Sequence, residues 1–300
     1  MTVGICGAGT MGAGIAQVCL QSGFHVLLYD TADAALAKAE QYITNTFEKA
    51  LRKGRMSSQE YVSARVRLTL VSSLHLLHPC SIVVEAIIEQ AKAKQQLYDS
   101  LEDVVAHESI IASNTSSLSI TALAASMRYP ERFVGLHFFN PAPVMRLVEI
   151  VSGMRTSPTT VEYAVRFAQQ LGKQPVKVRD VPGFIVNRVA RNYYLEAMRL
   201  VSEGAATIPQ VDTLMRSAGF KMGPFELMDV IGMDVNFTVS MSLWEQYFYE
   251  PRLTPVLLQK HYVDAGLLGR KTGEGFYKYG ADGEKILPQR SSSDAPSTSP

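Results

Sequence analysis

The chain has 300 residues, of which 47% are hydrophobic and 19% are charged, and its formal net charge is +1. This length is sufficient for two domains of ordinary size (~100–200 residues each) with hydrophobic cores. Because nucleic-acid-binding proteins usually carry a basic surplus, the balanced charge argues against that class and no nucleic-acid partner is expected.

Cysteine usage and hydropathy restrict the class further. Cys6, Cys19 and Cys80 are scattered without a CxxC pair or metal-ligand spacing, so reduced core thiols and no metal site are expected. No apolar run approaches the ~18 residues that cross a bilayer. No signal-peptide pattern precedes the first predicted strand, since only Met1 and Thr2 come before it. A cytoplasmic protein without membrane contact is therefore expected.

The first 180 residues alternate between apolar runs and helical periodicity. Such alternation predicts an open, mostly parallel α/β sheet. Two consecutive helices, at 32–53 and 57–67, predict a helical hairpin inserted between strands, with glycine ending the first helix and serines capping the second. The predicted strands are 3–6, 25–29, 68–71, 82–86, 109–113, 133–139, 147–151 and 175–178. The other predicted helices of this region are 10–22, 91–106, 121–127 and 161–171.

The pattern changes at a Pro-Gly pair near residue 181. Beyond it the sequence shows helical periodicity and no convincing strand, which predicts an all-α second domain. Its predicted helices are 184–202, 208–218, 224–248 and 255–265. We expect domains at 1–181 and 182–290, and a disordered Ser/Pro/Thr-rich tail at 291–300.

A glycine-rich motif follows the first predicted strand. Residues 7–12 read G-x-G-x-x-G between a strand and a helix, the context that a Rossmann-type dinucleotide site requires. The first glycine permits a tight turn, the second lets the backbone approach the pyrophosphate, and the third lets the helix pack on the strand. The predicted cofactor-binding loop consists of Gly7, Gly9, Thr10, Met11 and Gly12.

An acidic residue closes the second predicted strand. Asp30 follows Gly12 by 18 residues, which is where a carboxylate binds the adenosine ribose hydroxyls in this type of site. Its charge would repel a ribose 2′-phosphate, so NAD rather than NADP is the predicted cofactor.

Two side chains on adjacent predicted strands are candidates for acid–base chemistry. His137 ends one strand, and Glu149 lies within the apolar run of the next. A buried carboxylate needs a partner, and a histidine across the strand pair would supply it. Neutral imidazole accepts a proton near pH 7, and the carboxylate would orient the ring. Alternatively, His137 is a satisfied core histidine and Glu149 a solvated edge residue.

Polar residues also follow the strand at 109–113, where the sequence Ser-Asn-Thr-Ser-Ser at 113–117 precedes a helix. Simple helix N-capping explains such a run, and it is compatible with a ligand role. Asn187 lies early in the helix after the Pro-Gly pair, where the residues alone favour an ordinary exposed polar position.

Together these motifs resemble the (S)-3-hydroxyacyl-CoA dehydrogenase family of fatty acid metabolism, in matching order over nearly the whole chain. The family motifs comprise residues 7–12, 84–86 with 89 and 94, 113–117, 137–141 with 149, 182–188, 223–227 and 269–277.

The resemblance implies a role for each matching residue. His137 would be the catalytic base and Glu149 its partner, while Ser116 and Asn187 would contact the substrate near its reacting carbon and thioester. Lys53, at the basic end of the hairpin, would meet CoA phosphates, or it is simply a solvated helix end. The implied NAD contacts beyond the loop and Asp30 are Glu89, Lys94, Asn140 and Lys271.

The resemblance further implies an acyl-CoA thioester substrate and a homodimer formed through the helical domain. Either 3-hydroxybutyryl-CoA or 3-hydroxyadipyl-CoA fits the sequence, so acyl length stays open. Two other functions are retained: a β-hydroxyacid dehydrogenase that acts on a free acid and uses a catalytic lysine, and a non-catalytic NAD-binding structural protein.

Overall fold

The structure is a computed structural model that describes residues 1–286. The chain forms two compact units, Met1–Ile185 and a second that begins at Val186. The tail predicted at 291–300 lies outside the described residues.

The first unit contains an eight-stranded sheet in the order β3-β2-β1-β4-β5-β6-β7-β8. Neighbouring strands are parallel except β6 and β7, which are antiparallel. The mostly parallel sheet that the sequence predicted is thus confirmed. The strands are β1 Thr2–Cys6, β2 His25–Tyr29, β3 Leu68–Val71, β4 Ile82–Glu85, β5 Ile110–Ser113, β6 Phe133–Phe138, β7 Leu147–Ser152 and β8 Gln174–Arg179.

Helices cover both faces of this sheet, which explains why its central strands consist of continuous apolar residues. All residues of β4, β5 and β6 are buried. The helices of this unit are α1 Thr10–Gln21, α2 Asp33–Arg52, α3 Ser58–Val66, α4 Ala91–Glu102, the single turn α5 Ile120–Leu123 and α6 Pro158–Gln170.

The predicted helical hairpin corresponds to α2 and α3. Gly54 follows α2 with a φ of +65°, a left-handed conformation that glycine adopts without strain. Ser57 and Glu60 form a reciprocal capping box at the start of α3, so the predicted cap is confirmed. Phe47 anchors α2 in the core with no exposed surface.

The strand order places the switch point of the sheet between β1 and β4. The chain runs from β1 outward to β3 and then returns to β4 on the other side of β1. In open α/β sheets, ligands bind outside the carboxyl ends of strands at such a point. The glycine-rich loop follows β1 and therefore lies at this crevice.

The three cysteines are free and buried, as predicted. Burial raises the pKa of the Cys19 thiol to about 12, so this group stays protonated at neutral pH. Within residues 1–286, no cluster of histidine, cysteine and acidic side chains has the geometry of a metal site. No helix of this described part combines the length and apolar character needed to cross a membrane.

The second unit is helical, and its described part has only isolated β-bridges beyond its helices. The single helix predicted at 224–248 is wrong: Gly232 adopts a φ of +100° and separates two helices there. The apolar residues keep a helical spacing on both sides of Gly232, so the sequence pattern alone predicts one continuous helix. The helices are α7 Val186–Ser202, α8 Ile208–Ser217, α9 Pro224–Ile231, α10 Met233–Gln246 and α11 Leu257–Asp264.

Candidate active site

The glycine-rich loop has the geometry of a dinucleotide cradle. A Cβ atom on Gly7 would lie 2.6 Å from the Ala86 carbonyl oxygen, and one on Gly12 would lie 1.7 Å from the Gly7 carbonyl oxygen. Both positions therefore exclude any side chain. Gly9 differs, because no protein atom lies within 4 Å of its Cβ direction. The N-terminus of α1 begins there without a side-chain cap, which leaves its N–H groups for an anion.

A cavity of about 690 Å³ opens beside this loop. Asp30 lies in its wall with its carboxylate fixed, since Oδ2 accepts from the Ala8 N–H at 2.7 Å and Oδ1 from the Ala32 N–H at 2.9 Å. Apolar side chains, including Ile87 and Ile88, also line this cavity. A flat apolar group beside a fixed carboxylate matches the adenosine half of NAD, so the residues present fit this cofactor.

His137 and Glu149 form a buried pair on the antiparallel strands β6 and β7. They are direct partners in the strand register, and their side chains are 6% and 1% exposed. His137 Nδ1 lies 2.8 Å from Glu149 Oε2. Because an ionised carboxylate only accepts hydrogen bonds, Nδ1 carries the proton and Nε2 keeps its lone pair. This pair can therefore accept a proton at Nε2.

Backbone and aromatic groups fix the two side chains of this pair. The Ile185 N–H donates to Glu149 Oε1 at 2.9 Å, so both carboxylate oxygens are engaged. The rings of Phe139 and Phe184 lie 4.4 and 5.7 Å from the imidazole centroid. Packing of this kind limits rotation of the imidazole and keeps bulk water from the pair.

The loop after β5 is held by one carboxylate. Glu89 Oε1 accepts from Thr115 Oγ1 at 2.5 Å, from the Ser116 N–H at 3.1 Å and from Ser117 Oγ at 3.0 Å. Partial burial raises the pKa of Glu89, but the Lys94 ammonium and the two hydroxyls outweigh burial and leave this pKa below its ordinary value. Glu89 thus stays ionised and orders the loop that carries Ser116.

Lys94 lies in the interior and is not among the residues that line the cavity beside the glycine-rich loop. Its side chain is 1% exposed, and its Nζ lies 2.5 Å from Glu85 Oε1 and 3.1 Å from Glu89 Oε2. The physical reason is Glu85, whose carboxylate is fully buried and needs a cation close by. Lys94 therefore neutralises buried acidic groups beneath the loop, and its expected NAD contact stays a prediction.

Sequence reasoning assigned no role to Glu85 or to Tyr98. Glu85 Oε2 accepts from Tyr98 Oη at 2.5 Å and from Ser113 Oγ at 2.8 Å, and the Ile87 N–H donates to Oε1. The sequence does contain a signal for the role of Glu85. Glu85 is an acidic residue at the end of an apolar strand, just as Glu149 is an acidic residue within one. A buried carboxylate at Glu85 also needs a partner, and this argument points to Lys94, nine residues later in the sequence.

The remaining predicted residues have varied surroundings. Asn140 is exposed and precedes Pro141 through a cis peptide bond, and Lys53 is exposed just after α2. Two residues belong to the second unit: Asn187 is half-buried in the first turn of α7, and Lys271 pairs with Asp234 at 2.5 Å. Roles for these four residues stay predictions.

Comparison with known families gives two matches that together span most of the chain. Residues 2–181 match the NAD binding domain of 3-hydroxyacyl-CoA dehydrogenase, and residues 183–279 match the C-terminal domain of the same family. The predicted resemblance and the predicted NAD cofactor are confirmed by these matches.

Individual relatives agree with the family matches. A 3-hydroxyadipyl-CoA dehydrogenase of Escherichia coli is 43% identical over 98% of this chain, which spans 62% of that relative's length. The mitochondrial hydroxyacyl-coenzyme A dehydrogenase of Sus scrofa is 42% identical over 92% of this chain and 90% of its own. A solved (S)-3-hydroxybutyryl-CoA dehydrogenase of Ralstonia eutropha has a TM-score of 0.90 and 40% identity, covering 93% of this chain and 99% of its own.

Proposed function

Because the chain belongs to the 3-hydroxyacyl-CoA dehydrogenase family, we propose that it oxidises an (S)-3-hydroxyacyl-CoA reversibly to the 3-oxoacyl-CoA. In this reaction the C3–H hydrogen leaves with its electron pair, the hydroxyl loses its proton, and a C=O bond forms. When bound, NAD⁺ accepts the hydrogen and its electron pair. The single observation that carries the proposal is the buried His137–Glu149 pair, which lies in the same unit as the dinucleotide cradle.

His137 is the proposed general base. Its Nε2 lone pair accepts the substrate hydroxyl proton, and in the reverse direction the imidazolium returns that proton to the forming alkoxide. Proton transfer by a positioned group of this kind is worth about 10²–10⁴-fold in rate. The free Nε2 and the pairing at Nδ1 support this assignment.

Glu149 is the proposed partner of the base. Its carboxylate holds the Nδ1–H in place and stabilises the positive charge that the imidazole gains when Nε2 takes the proton. The Ile185 N–H satisfies the other oxygen of Glu149, so the carboxylate cannot turn away from the ring. This arrangement supports a fixed base that needs no reorganisation during proton transfer.

The resemblance supplies the remaining proposed roles. Ser116 and Asn187 contact the substrate near its reacting carbon and thioester, and Lys53 meets the CoA phosphates. Asn140 and Lys271 contact NAD. The acyl group is either short or dicarboxylic, since relatives are named 3-hydroxybutyryl-CoA and 3-hydroxyadipyl-CoA dehydrogenases.

A homodimer through the helical unit is also proposed. Large apolar side chains are exposed on its described surface, which is typical of a protein interface. A dimer mass in sedimentation equilibrium supports the proposal, whereas a monomer at micromolar concentration contradicts it. These exposed side chains include Val189, Leu214, Val230, Val235 and Phe248.

The deciding experiment measures NADH oxidation with acetoacetyl-CoA, and with free acetoacetate as the comparison. We expect turnover with the CoA ester and at least 100-fold lower kcat/KM with the free acid. Equal use of the free acid would favour a β-hydroxyacid dehydrogenase. NADH binding without turnover of any substrate would favour a non-catalytic protein. His137→Gln is the matched control, and its NADH affinity should match the unaltered protein while its turnover is lost.

A further inference from the structure

The turn that follows β8 contains a residue in an unfavourable backbone conformation. Gly183 and Phe184 are consecutive residues with φ values of +71° and +50°. Glycine adopts this left-handed region without strain, whereas a bulky aromatic residue is rarely found there. Within residues 1–286, the other non-glycine residues with a positive φ are Phe248 and Tyr249, and both are exposed, whereas Phe184 is 3% exposed. Strain that is kept in the interior points to a role for the side chain that bears it.

Hydrogen bonds fix the beginning of this turn to the sheet and to α5. The Asp180 N–H donates to the Ser152 carbonyl at 3.1 Å, at the end of β7. The carboxylate of Asp180 accepts from the Thr121 N–H at 2.7 Å. The Phe184 N–H donates to the Val181 carbonyl at 2.9 Å, which closes the turn. The chain therefore reaches Phe184 along a defined path, and the strain is not that of a loose loop.

The last residues of the turn contact both members of the buried pair. The centroid of the Phe184 ring lies 5.7 Å from that of the His137 imidazole, and the two ring planes are inclined by 59°. The next residue, Ile185, donates its backbone N–H to Glu149 Oε1 at 2.9 Å. Rotation about φ of Phe184 moves its ring and the following peptide group together relative to the preceding chain. One backbone angle therefore sets two contacts, one to the imidazole and one to the carboxylate.

We propose that Phe184 is a positioning residue for the His137–Glu149 pair, and that its left-handed conformation is kept because it serves both contacts. The ring limits rotation of the imidazole, and the following N–H stops the carboxylate from turning away. Phe184 has no group that exchanges a proton, so it acts through the pair and not on the substrate. The inference deepens the proposed function and rests on it, because in that function His137 takes the substrate proton at Nε2.

Two variants test the ring and the backbone. Phe184→Leu keeps an apolar side chain but removes the ring, and Phe184→Gly also removes the strained φ. In steady-state NADH oxidation with acetoacetyl-CoA, we expect kcat to fall about tenfold in Phe184→Leu and about 100-fold in Phe184→Gly, since a displacement of ~1 Å at a catalytic group costs up to about 10²-fold. The KM for acetoacetyl-CoA and the Kd for NADH should change less than threefold.

The matched control is Phe167→Leu. Phe167 is buried in the same unit, and its ring packs on Phe24, with the centroids 5.7 Å apart. This variant should lose stability like Phe184→Leu but keep its kcat. A second measurement reads the imidazole directly: in protein with isotope-labelled histidine, nitrogen NMR shifts distinguish a proton on Nδ1 from one on Nε2. The neutral His137 ring should carry its proton on Nδ1 in the unaltered protein and in Phe167→Leu, and should show a mixture in Phe184→Leu.

The outcomes separate this inference from the proposed function. A kcat within twofold of the unaltered value in both Phe184 variants would overturn the positioning role. A lower kcat with the His137 proton still on Nδ1 alone would also overturn it, because Phe184 would then act elsewhere. If both Phe184 variants fail to fold while Phe167→Leu folds, Phe184 serves stability and the inference is rejected. Absence of turnover by the unaltered protein would instead overturn the proposed function, and the NMR comparison would still decide whether Phe184 orients His137.

Discussion

The side-chain oxygen of Asn114 accepts a hydrogen bond from the backbone N–H of Phe138 at 2.9 Å, one residue after His137. Backbone pairing between β5 and β6 ends at Ser113 and Gly135. Asn114 therefore extends the contact between these strands to the point where the imidazole projects. Its own N–H donates to the Glu85 carbonyl at 2.8 Å, which fixes it to β4 as well.

This relationship makes Asn114 a positioning residue for His137. Asn114→Ala should lower kcat about tenfold, because a small displacement of a catalytic base is costly. Its Kd for NADH should change less than twofold. Asn114→Asp keeps an acceptor for the Phe138 N–H and should retain most of kcat. Steady-state kinetics and NADH fluorescence titration measure both quantities, and an unchanged kcat in Asn114→Ala would contradict this role.

Glu149→Gln should lower kcat by about 10²–10⁴-fold, the range for loss of a general base's orienting carboxylate. A glutamine has one acceptor oxygen, whereas Glu149 accepts from both His137 and the Ile185 N–H. Single-turnover kinetics with preformed NADH complex would report the chemical step directly. Near-normal kcat in this variant would show that the pair is structural only.

Gly9→Ala and Gly12→Ala should have opposite phenotypes. A Cβ on Gly9 meets no protein atom within 4 Å, so this variant should keep its melting temperature and lose NADH affinity at least tenfold. A Cβ on Gly12 would lie 1.7 Å from the Gly7 carbonyl oxygen, so that variant should be destabilised as well. Melting curves with and without NADH measure both effects. Unchanged NADH affinity in Gly9→Ala would place the pyrophosphate elsewhere.

Lys94→Met should destabilise the fold by about 3–5 kcal/mol, because it leaves the buried Glu85 carboxylate without its cation. The double variant Glu85→Gln with Lys94→Met removes both charges, so it should recover part of that loss. Urea unfolding monitored by circular dichroism gives the free energies. If the double variant were less stable than Lys94→Met alone, the loss of stability in Lys94→Met would not come from the unpaired Glu85 carboxylate.

Glu89 should contribute an acid-sensitive part of stability. Its folded-state pKa lies below its ordinary value of 4.5, so its stabilisation is present above about pH 4.5 and is lost as pH falls through the folded-state pKa. Glu89→Gln removes this titration, so the melting temperature of the variant should fall less steeply with acidification. Parallel melting curves from pH 3 to 7 test this. If the melting temperatures of the two proteins fell equally steeply with pH, Glu89 would make no acid-sensitive contribution to stability.

The sequence predicted structural features correctly where they depend only on residues that are close together along the chain. The βαβ motif of residues 7–12 and the capping box of Ser57 needed only neighbours along the chain, and both were predicted. The split at Gly232 was not predicted, because the residues on both sides keep a helical pattern and only the backbone conformation reveals the break. Helix ends also shifted by a few residues, since tertiary contacts decide where the last turns form.

The sequence by itself determined the residue types that the chemistry needs and the strands that carry them, including His137 and Glu149. Only the tertiary structure decided which buried charges meet, such as Glu85 with Lys94. The physical reason is that periodicity and spacing are local along the chain. Charge pairing in the interior depends instead on distances between residues that are far apart in sequence, and folding alone brings these together.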